Sequence, residues 1–344
     1  MERLWVMEIT DKNLPINESY WKSMDEKQLN IFKEEIFQYY RNKGFPYYNL
    51  TVEQQKESIE KMDIYMNSNK NIIEGNTVRQ TMHCLSTAWS YFPKSWEVIT
   101  NNKYSPIQLF NDDELFRKII SKRLKRGTYI SDGGLRKELK TNSLAQGVSN
   151  FRPTASRAIY DKYAGNGYVF DPCMGYGGRL LGAISSPRVK YYEGCDPNTE
   201  TFDGLSKMAK NLQDTTKVVL NNIGVEEYEP KDKFDLVFTS PPYFDTEKYS
   251  EEETQSYLKF PTYEKWLNGF LRKLVENSID LLNKGGYFII NIANVKNAKN
   301  LESDFNEICK GFLDLKYVKM YKMQLSSINK LGHKYEPIFV YNKT

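Results

Sequence analysis

The chain has 344 residues, enough for one large domain or two ordinary ones, and its 40% hydrophobic and 27% charged residues are ordinary for a globular protein. No stretch approaches the roughly 18 to 20 apolar residues that a membrane span needs, and residues 1–5 lack the pattern of a signal peptide. The formal net charge of +4 is too small to indicate a nucleic-acid partner by itself. We therefore expect a cytoplasmic protein whose partners must be identified from local patterns.

Metal-binding residues are scarce in the sequence. His83 and His333 are the only histidines, so a multi-histidine metal site is excluded. The cysteines form no CxxC pair, which argues against both a zinc site and a disulfide framework. The sequence therefore predicts a protein that uses no metal. The cysteines are Cys84, Cys173, Cys195 and Cys309.

Apolar residues at helical spacing predict that residues 1–148 form a mainly helical domain. Thr51 and Gln54 resemble a capping box that opens one of its helices. Another helix is expected to begin near Asp112 and to end at Gly127. The two remaining predicted helices cover residues 18–40, with Gly44 as the stop, and residues 76–92.

After about residue 148, short β-rich runs alternate with helical ones. Such alternation is typical of a mostly parallel sheet covered by helices, so we predict an α/β domain at residues 149–344. Ligands of such sheets bind beyond the carboxyl ends of the strands. The predicted strands are 167–170, 190–195, 218–220, 234–238 and 287–292, and the helices are 179–184, 199–212 and 263–282.

A glycine-rich turn follows the first predicted strand of this domain. Glycines let the backbone approach a ligand closely, and the helix start that follows offers free N–H groups. The spacing is GxGG rather than the GxGxxG of dinucleotide sites, so a plain tight turn is the alternative interpretation. The run reads Asp171-Pro172-Cys173-Met174-Gly175-Tyr176-Gly177-Gly178-Arg179.

The second predicted strand ends at Cys195 and is followed by Asp196, Pro197 and Asn198. An acidic residue at this position is well placed to accept hydrogen bonds from ribose hydroxyls. Asp196 or Asn198 could equally cap the following helix, and the two roles can coexist.

The predicted strand 234–238 leads directly into a loop with two prolines. Prolines cannot continue a β-ladder, so they end the strand and stiffen the loop. Such a loop can present a serine hydroxyl and a proline carbonyl as acceptors for an amino group, with a tyrosine ring that stacks on the base carrying it. The alternatives are a rigid surface turn and a proline-motif ligand. The loop reads Thr239-Ser240-Pro241-Pro242-Tyr243.

Together these segments resemble the amino-methyltransferases of DNA, the family that produces N6-methyladenine and N4-methylcytosine. The glycine turn is similar to the family's cofactor motif Asp-Pro-Phe-x-Gly-x-Gly, from which Cys173-Met174 departs conservatively. Ser240–Tyr243 match its (Asp/Asn/Ser)-Pro-Pro-Tyr motif in full. The resemblance covers residues 151 to about 342. Three further segments contribute: Asn150-Phe151-Arg152-Pro153-Thr154, Lys284-Gly285-Gly286-Tyr287 and Tyr335-Glu336-Pro337-Ile338-Phe339-Val340.

The resemblance implies a Rossmann-like methyltransferase domain with a mostly parallel, seven-stranded sheet that binds S-adenosyl-L-methionine. Hydrogen bonds from the amine to Ser240 Oγ and the Pro241 carbonyl would free its lone pair for in-line attack on the methyl group. The base must first leave the duplex and stack on Tyr243, with Phe244 as a second candidate. The implied catalytic residues are Ser240, Pro241, Pro242 and Tyr243. The implied cofactor-binding residues are Phe151, Arg152, Pro153, Thr154, Asp171, Pro172, Cys173, Met174, Gly175, Gly177, Asp196, Pro197 and Thr239.

Methylation at C5 of cytosine would need a nucleophilic cysteine, normally in a Pro-Cys pair on the catalytic loop. The Pro-Cys pair of this sequence, Pro172-Cys173, lies inside the cofactor motif, so that chemistry is not predicted. Among the exocyclic amines, serine at the first position of the catalytic motif favours cytosine N4 over adenine N6 within the resembled family.

About forty residues separate Tyr243 from Lys284, which leaves no room for a large insertion. By elimination, the helical domain 1–148 is the candidate for target recognition. Nine basic residues against two acidic ones lie in residues 117–140, a density that suits phosphate contacts, with a solvated basic face as the alternative. The predicted nucleic-acid contacts are Lys122, Arg123, Lys125, Arg126, Arg136 and Lys137, together with Phe244.

The sequence thus predicts a site-specific methyltransferase of double-stranded DNA, with a cognate restriction nuclease as a candidate partner. Two alternatives stay open. One is an RNA or tRNA base methyltransferase that uses the same motif. The other is a catalytically silent DNA-binding subunit that keeps the fold, against which the intact Ser240 and Tyr243 argue.

Overall fold

The computed structural model describes residues 6–68, 71–229, 232–329 and 332–344, without the side chains of residues 326–333. Residues 1–5 and the His333 side chain, on which the predictions about a signal peptide and metal ligands partly rest, lie outside the described residues. The chain packs as two compact units. The first comprises Met1–Tyr48 and Pro93–Val148, and the second comprises Asn49–Phe92 and Ser149–Thr344.

Helices and two-residue strands are the elements of the first 148 residues. In chain order they are β1 (Ile16–Asn17), a 3-10 turn (Glu18–Tyr20), α1 (Glu26–Lys43), α2 (Val52–Asn67), β2 (Ile73–Glu74), β3 (Thr77–Val78), α3 (Leu85–Ser90), a 3-10 turn (Pro93–Trp96), β4 (Ile99–Thr100), α4 (Pro106–Asn111), α5 (Asp113–Arg126), β5 (Tyr129–Ile130) and α6 (Asp132–Lys140).

Strands and helices alternate after residue 148. In chain order they are α7 (Pro153–Tyr163), β6 (Tyr168–Asp171), α8 (Gly178–Ser185), β7 (Tyr191–Cys195), α9 (Thr199–Leu212), β8 (Lys217–Asn221), a 3-10 turn (Val225–Glu227), β9 (Phe234–Thr239), β10 (Glu247–Lys248), α10 (Ser256–Lys259), α11 (Tyr263–Trp266), a π-helical turn (Leu267–Leu271), α12 (Arg272–Leu281), β11 (Leu282–Asn291), α13 (Leu301–Lys310), β12 (Leu315–Asn329) and β13 (Gly332–Lys343).

The first unit is mainly helical, and α1 and α5 begin at residues whose side chains cap a helix and end at a glycine. Asp25 and Gln28 form a capping box at the start of α1, which ends at Gly44. The Asp112 side chain caps α5, which ends before Gly127, as predicted. The apolar faces of these helices share one core, which includes Phe32, Ile36, Phe37, Tyr40, Phe116, Ile119, Ile120 and Leu139.

The second unit is built on a sheet of nine described strands in the order β2-β3-β12-β13-β11-β9-β6-β7-β8. Strands β11, β9, β6, β7 and β8 pair in parallel, whereas β13 is antiparallel to both β11 and β12. Numbered along the chain, the seven strands of this sheet that follow residue 148 have the order 3-2-1-4-5-7-6, and the first five positions are those of the Rossmann fold. The predicted Rossmann-like, mostly parallel sheet is confirmed, with β2 and β3 as an added edge.

Residues 49–92 differ from the prediction of a single helical domain at 1–148. Helix α2 begins at the Thr51–Gln54 capping box, as predicted. The helix expected over residues 76–92 is wrong, because β2 and β3 occupy its beginning and α3 covers only its later part. Strand β3 pairs with β12 through Thr77 and Val78, so pairing at the sheet edge outweighs the local helical pattern. The segment therefore belongs to the second unit.

Strand β9 lies at the centre of the second unit's core. All six of its residues are buried, and Trp266, Phe270 and Leu274 from the helical stretch 263–281 pack in the same cluster. The two prolines after Thr239 end this strand at the edge of the sheet. Within the described ranges, no helix combines the length and the apolar character that crossing a membrane requires.

Candidate active site

The two loops singled out in the sequence are neighbours in space. Strands β6 and β9 pair in parallel at the point where the strand order reverses, so Asp171 and Thr239 end at the same edge of the sheet. Thr239 Oγ1 donates a hydrogen bond to Asp171 Oδ1 at 2.9 Å and accepts one from the Cys173 N–H at 3.1 Å. These hydrogen bonds connect the first residues of the glycine turn to the first residue of the proline loop.

Asp171 holds the glycine turn in its conformation through side-chain hydrogen bonds. It is fully buried, and its Oδ2 accepts hydrogen bonds from Arg179 Nε and from the Tyr192 hydroxyl, both at 2.8 Å. Its Oδ1 accepts from Thr239 and, at 3.3 Å, from the Cys173 N–H. Arg179 also donates to the Cys173 carbonyl. Because ionised carboxylates act as acceptors and these oxygens are already occupied, Asp171 shapes the turn through protein contacts.

Two glycines of the turn have different surroundings. A Cβ atom on Gly178 would lie 1.8 Å from the Phe151 carbonyl oxygen, so only glycine allows segment 150–154 to pack on the turn. The Asn150 side chain donates to the Tyr176 carbonyl at 2.7 Å in the same contact. Gly175 instead has φ 58 and no heavy atom within 4 Å of its Cβ position. It therefore borders open space that a ligand can approach.

The remaining predicted cofactor residues surround this turn and differ in exposure. Thr154 Oγ1 lies 3.0 Å from Thr81 Oγ1 at the start of α7. Burial raises the pKa of the Cys173 thiol, which keeps it protonated and agrees with an apolar role rather than a nucleophilic one. Buried are Phe151, Pro153, Thr154, Pro172, Met174, Gly177 and Thr239, and partly exposed are Arg152, Cys173, Gly175 and Pro197.

Asp196 follows β7 and faces the same turn. Its Oδ2 accepts the Gly175 N–H at 2.9 Å, its Oδ1 accepts the Asn198 N–H at 3.1 Å, and burial raises its pKa to about 6. Each oxygen retains lone-pair capacity for a further donor. The cap of α9 is Asn198, whose Oδ1 accepts from the Thr201 N–H at 2.8 Å. Asp196 is therefore not the cap, and its carboxylate bridges the two loops.

The proline loop is tied to the end of the neighbouring strand β11. Ser240 Oγ donates to Asn291 Oδ1 at 3.3 Å, and the Tyr243 hydroxyl donates to the Asn291 carbonyl at the same distance. Asn291 Nδ2 donates to the Pro337 carbonyl at 2.9 Å. Sequence reasoning missed Asn291; its position near the end of a predicted strand was the available signal.

Two carboxyl groups to which the sequence analysis gave no role, Glu336 and Glu247, also face the proline loop. Burial raises the pKa of Glu336, repulsion from Glu247 acts in the same direction, and a hydrogen bond from Asn291 opposes both. The Tyr249 hydroxyl donates to Glu247. Burial, followed by the charge of Glu336, raises the pKa of Tyr243, so its phenol stays neutral. Glu336 lay in a family-like segment, whereas nothing in the sequence marked Glu247.

Phe244 has a different role from the one predicted. Its side chain is 9% exposed, and its ring packs against Tyr263 and Trp266, with centroids 5.8 and 5.9 Å away. Phe244 is therefore a core residue, which corrects its assignment as a base-stacking residue. Tyr243 is only partly buried.

The arginines predicted to contact nucleic acid are largely engaged within the first unit. Arg126 pairs with Glu138 at 2.6 Å, and Arg123 Nε donates to the Tyr129 carbonyl at 2.8 Å. Arg136 donates to the Pro46 carbonyl at 2.6 Å and lies over the Tyr48 ring. These contacts engage the three guanidinium groups within the first unit, and their contact with nucleic acid stays a prediction. Of the predicted lysines, Lys122 is partly exposed, and Lys125 and Lys137 are exposed.

No cluster of three or more His, Cys, Asp or Glu side chains suited to a metal ion occurs in the part of the chain that the structure describes. The site just outlined is instead made of backbone N–H groups, hydroxyls, aromatic rings and the carboxyl groups of Asp196, Glu247 and Glu336. Such groups hold neutral or zwitterionic organic ligands by hydrogen bonding and stacking.

Residues 234–344 match the family model N6_N4_Mtase, described as DNA methylase. No curated protein matches the sequence. Among solved structures, TrmN from Thermus thermophilus shares 14% identity at a TM-score of 0.39 over 56% of this chain and 49% of its own, so this chain spans about half the length of TrmN. An rRNA methylase from Streptococcus thermophilus shares 15% identity at a TM-score of 0.38, over 57% of this chain and 99% of its own.

The N-methyltransferase NodS from Bradyrhizobium japonicum WM9, in complex with S-adenosyl-l-homocysteine, shares 12% identity at a TM-score of 0.37, over 54% of this chain and 83% of its own. These likenesses fall below a TM-score of 0.5, so the assignment rests on the family match and the strand order. The matched segment begins with β9 and includes the proline loop and the last strands of the sheet. Residues 234–344 therefore carry the match to the DNA methylase family, and the strand order is that of the Rossmann-like, S-adenosyl-L-methionine-dependent methyltransferase fold.

Proposed function

We propose that the protein is a site-specific DNA methyltransferase that modifies an exocyclic base amine, with cytosine N4 preferred over adenine N6. The observation that carries the proposal is the adjacency of the glycine turn and the Ser240–Tyr243 loop. They follow neighbouring parallel strands where the strand order reverses, and the 2.9 Å hydrogen bond between Thr239 and Asp171 joins them. Ligands of open α/β sheets bind in this crevice.

The residues around the glycine turn fit S-adenosyl-L-methionine, which when bound supplies an electrophilic methyl group on a sulfonium. The open space beside Gly175 lets a ligand approach the backbone. The Asp196 carboxylate, anchored to the Gly175 N–H at 2.9 Å, would accept hydrogen bonds from the ribose hydroxyls. Asp171 and Arg179 hold the turn in shape beneath.

The proline loop supplies what an unreactive amine needs. The lone pair of an exocyclic base amine is delocalised into the ring, so the nitrogen is a poor nucleophile. Hydrogen bonds from its N–H groups to Ser240 Oγ and the Pro241 carbonyl would favour a more tetrahedral nitrogen. The Tyr243 ring would hold the extruded base by stacking. Two consecutive prolines keep these groups in fixed relation, which lowers the entropic cost of reaching the transition state.

Three features support DNA as the substrate and cytosine as the base. The family that matches residues 234–344 is described as DNA methylase. Serine at position 240 is the variant of the motif that favours N4 of cytosine within the resembled family. The lysines of α5 and α6 in the first unit, which include Lys122, Lys125 and Lys137, are suited to phosphate contacts. A cognate restriction nuclease stays a prediction.

The decisive experiment incubates the protein with methyl-tritiated S-adenosyl-L-methionine and, separately, unmethylated duplex DNA, transfer RNA and ribosomal RNA. The modified nucleic acid is digested to nucleosides, and mass spectrometry identifies the product. We expect N4-methylcytosine from duplex DNA, far less from Ser240→Ala, and unchanged yield from the control Ser206→Ala on α9.

Each other outcome selects an alternative. N6-methyladenine would retain the reaction class and overturn the preference for cytosine. Methylation of RNA alone would overturn DNA as the substrate. If the wild-type protein bound DNA but transferred no methyl group to any nucleic acid, a silent subunit would be the correct interpretation.

A further inference from the structure

Asn291 is a common hydrogen-bond partner of Ser240 and Tyr243 in the proline loop. It ends β11, whose residue Ile290 pairs with Thr239 of β9. Its Oδ1 accepts from Ser240 Oγ and its carbonyl accepts from the Tyr243 hydroxyl, both at 3.3 Å. At 2% exposure, it has little freedom to move. The catalytic motif is therefore supported from the adjacent strand by one residue that lies outside it.

We infer that Asn291 is a positioning residue that fixes the Ser240 hydroxyl as a hydrogen-bond acceptor toward the substrate amine. The inference rests on the proposed function. A hydroxyl has one hydrogen to donate and two lone pairs to accept with. Because that hydrogen is directed to Asn291 Oδ1, only lone pairs of Ser240 remain for the amine.

The alternative orientation of the hydroxyl would oppose the reaction. A Ser240 hydroxyl without a fixed acceptor can rotate and donate its hydrogen to the amine nitrogen. Such a bond would engage the lone pair that must attack the methyl group. Asn291 therefore removes an unproductive rotamer as well as holding the loop, which is the type of preorganisation that lowers barriers in polar active sites.

The orientation of the Asn291 amide is itself determined by its neighbours. Nδ2 donates to the Pro337 carbonyl at 2.9 Å, and the same side chain lowers the pKa of the neighbouring Glu336 carboxyl. A flipped amide would place its oxygen against the Pro337 carbonyl and leave both oxygens without a donor, which is costly for buried groups. The Asn291↔Ile338 pairing of β11 with β13 fixes the backbone. Oδ1 is therefore directed to Ser240.

The test is a double-mutant cycle. Asn291→Leu has a similar volume and no acceptor, and we expect it to lower kcat about tenfold to a hundredfold, because the serine hydroxyl loses the contact that orients it. The Kd for S-adenosyl-L-methionine, measured by calorimetry, should change by less than about twofold. In the Ser240→Ala background, Asn291→Leu should cause no further decrease in kcat, because its effect passes through the serine hydroxyl.

Two further variants control the cycle. Asn291→Asp keeps an acceptor for Ser240 and should retain more activity than Asn291→Leu, which also covers the case in which the leucine variant does not fold. Asn342→Leu on β13 removes an asparagine that bonds to the Gly285 and Gly286 carbonyls, and should leave kcat unchanged. Equal decreases from Asn291→Leu with and without Ser240 would overturn the inference.

The inference can fail separately from the proposed function. If the wild-type protein methylates DNA, Ser240→Ala lowers kcat as expected and Asn291→Leu is fully active, the inference alone is wrong. If no nucleic acid is methylated, the proposed function is wrong, and urea unfolding still tests the contact. Non-additive destabilisation by Ser240→Ala and Asn291→Leu would support the Ser240–Asn291 bond, and strictly additive destabilisation would exclude it.

Discussion

Two regions stand out in the sequence, and the structure treats them differently. In the second unit, the glycine turn 171–178 and the proline loop 239–243 are far apart in sequence and meet at the sheet edge. In the first unit, the basic segment 117–140 is dense in charge, but Arg123, Arg126 and Arg136 are bound to partners within that unit. Motifs at the ends of neighbouring parallel strands predict a site, because the sheet topology brings them together. A run of basic residues does not by itself predict that the charged groups are available to bind a ligand.

The largest effect should come from blocking the open space beside Gly175. We expect Gly175→Val to abolish binding of S-adenosyl-L-methionine in calorimetry, because its side chain would occupy the space that the ligand approaches. Gly285→Val is the matched control: Gly285 also has positive φ, 83 compared with 58, and nothing within 4 Å of its Cβ position, but it lies on β11 away from the turn. Equal binding by the two variants would remove the glycine turn from the cofactor site.

The next largest effect should come from the serine. Ser240→Ala removes one of the two acceptors for the amine, and removal of one preorganised polar group from an active site typically costs about 100-fold to 1,000-fold in kcat. The Kd for the cofactor should stay within about twofold. Single-turnover rates with wild-type protein and Ser206→Ala provide the reference. A serine variant with normal rates would leave the proline loop as a structural turn.

A smaller effect is expected at Asp196. Asp196→Asn should weaken cofactor binding about tenfold, because a hydrogen bond to a charged group contributes about 1.5–3 kcal/mol and the amide retains part of it. Asp203→Asn, on an exposed position of α9, is the control. Unchanged affinity in Asp196→Asn would leave this carboxylate as a link between two loops without a role toward the ligand.

The pH dependence of Asp196 sharpens the same assignment. Burial raises its pKa from 3.8 to about 6, so the carboxylate form is lost as pH falls through 6, and cofactor affinity should fall with it. Stability should change in the opposite direction. The folded state holds the proton more tightly than the unfolded chain, so the contribution of this group to stability decreases as pH rises from 3.8 to about 6 and is constant above that. Calorimetry and thermal melts of wild-type protein and Asp196→Asn measure both trends, and the variant should show neither.

The smallest effect is expected in the basic segment. Lys122→Gln with Lys125→Gln should weaken DNA binding a few-fold. The pair should also reduce the slope of log affinity against log salt concentration by about 2, because each lysine that neutralises a phosphate contributes about one to that slope. Lys12→Gln with Lys27→Gln, two exposed lysines of the same unit, is the control. An unchanged slope in the first pair would identify this face as merely solvated.

Arg126 should behave in the opposite way to these lysines. Its partner Glu138 has a side chain that is 5% exposed, so Arg126→Gln leaves a buried carboxylate without its charged partner. We expect a decrease of about 1–3 kcal/mol in the free energy of unfolding, measured in urea, and little change in the salt slope. A variant of normal stability with a reduced slope would restore Arg126 to the nucleic-acid surface.

Local signals predicted most of the secondary structure and the two motifs. The Thr51–Gln54 capping box and the limits of α5 at Asp112 and Gly127 depend on hydrogen bonds between residues a few positions apart. They can therefore be predicted without knowledge of the fold. The alternation of β-rich and helical runs after residue 148 is also a local pattern, and it predicted the parallel sheet. The helix expected over residues 76–92 was wrong because its first part pairs with β12, which lies more than 200 residues later.

The sequence by itself determined the alternation of strands and helices, the glycine turn, the proline-stiffened loop and the position of an acidic residue after β7. Each of these features depends on residues that are close together in the chain. Tertiary structure alone decided which polar groups are left over for a ligand. It engaged the oxygens of Asp171 with internal donors, placed Phe244 in the core and brought Asn291 to Ser240. The burial of a side chain and the occupancy of its hydrogen-bonding groups depend on contacts between segments that are far apart in the chain. No local sequence pattern therefore predicts them.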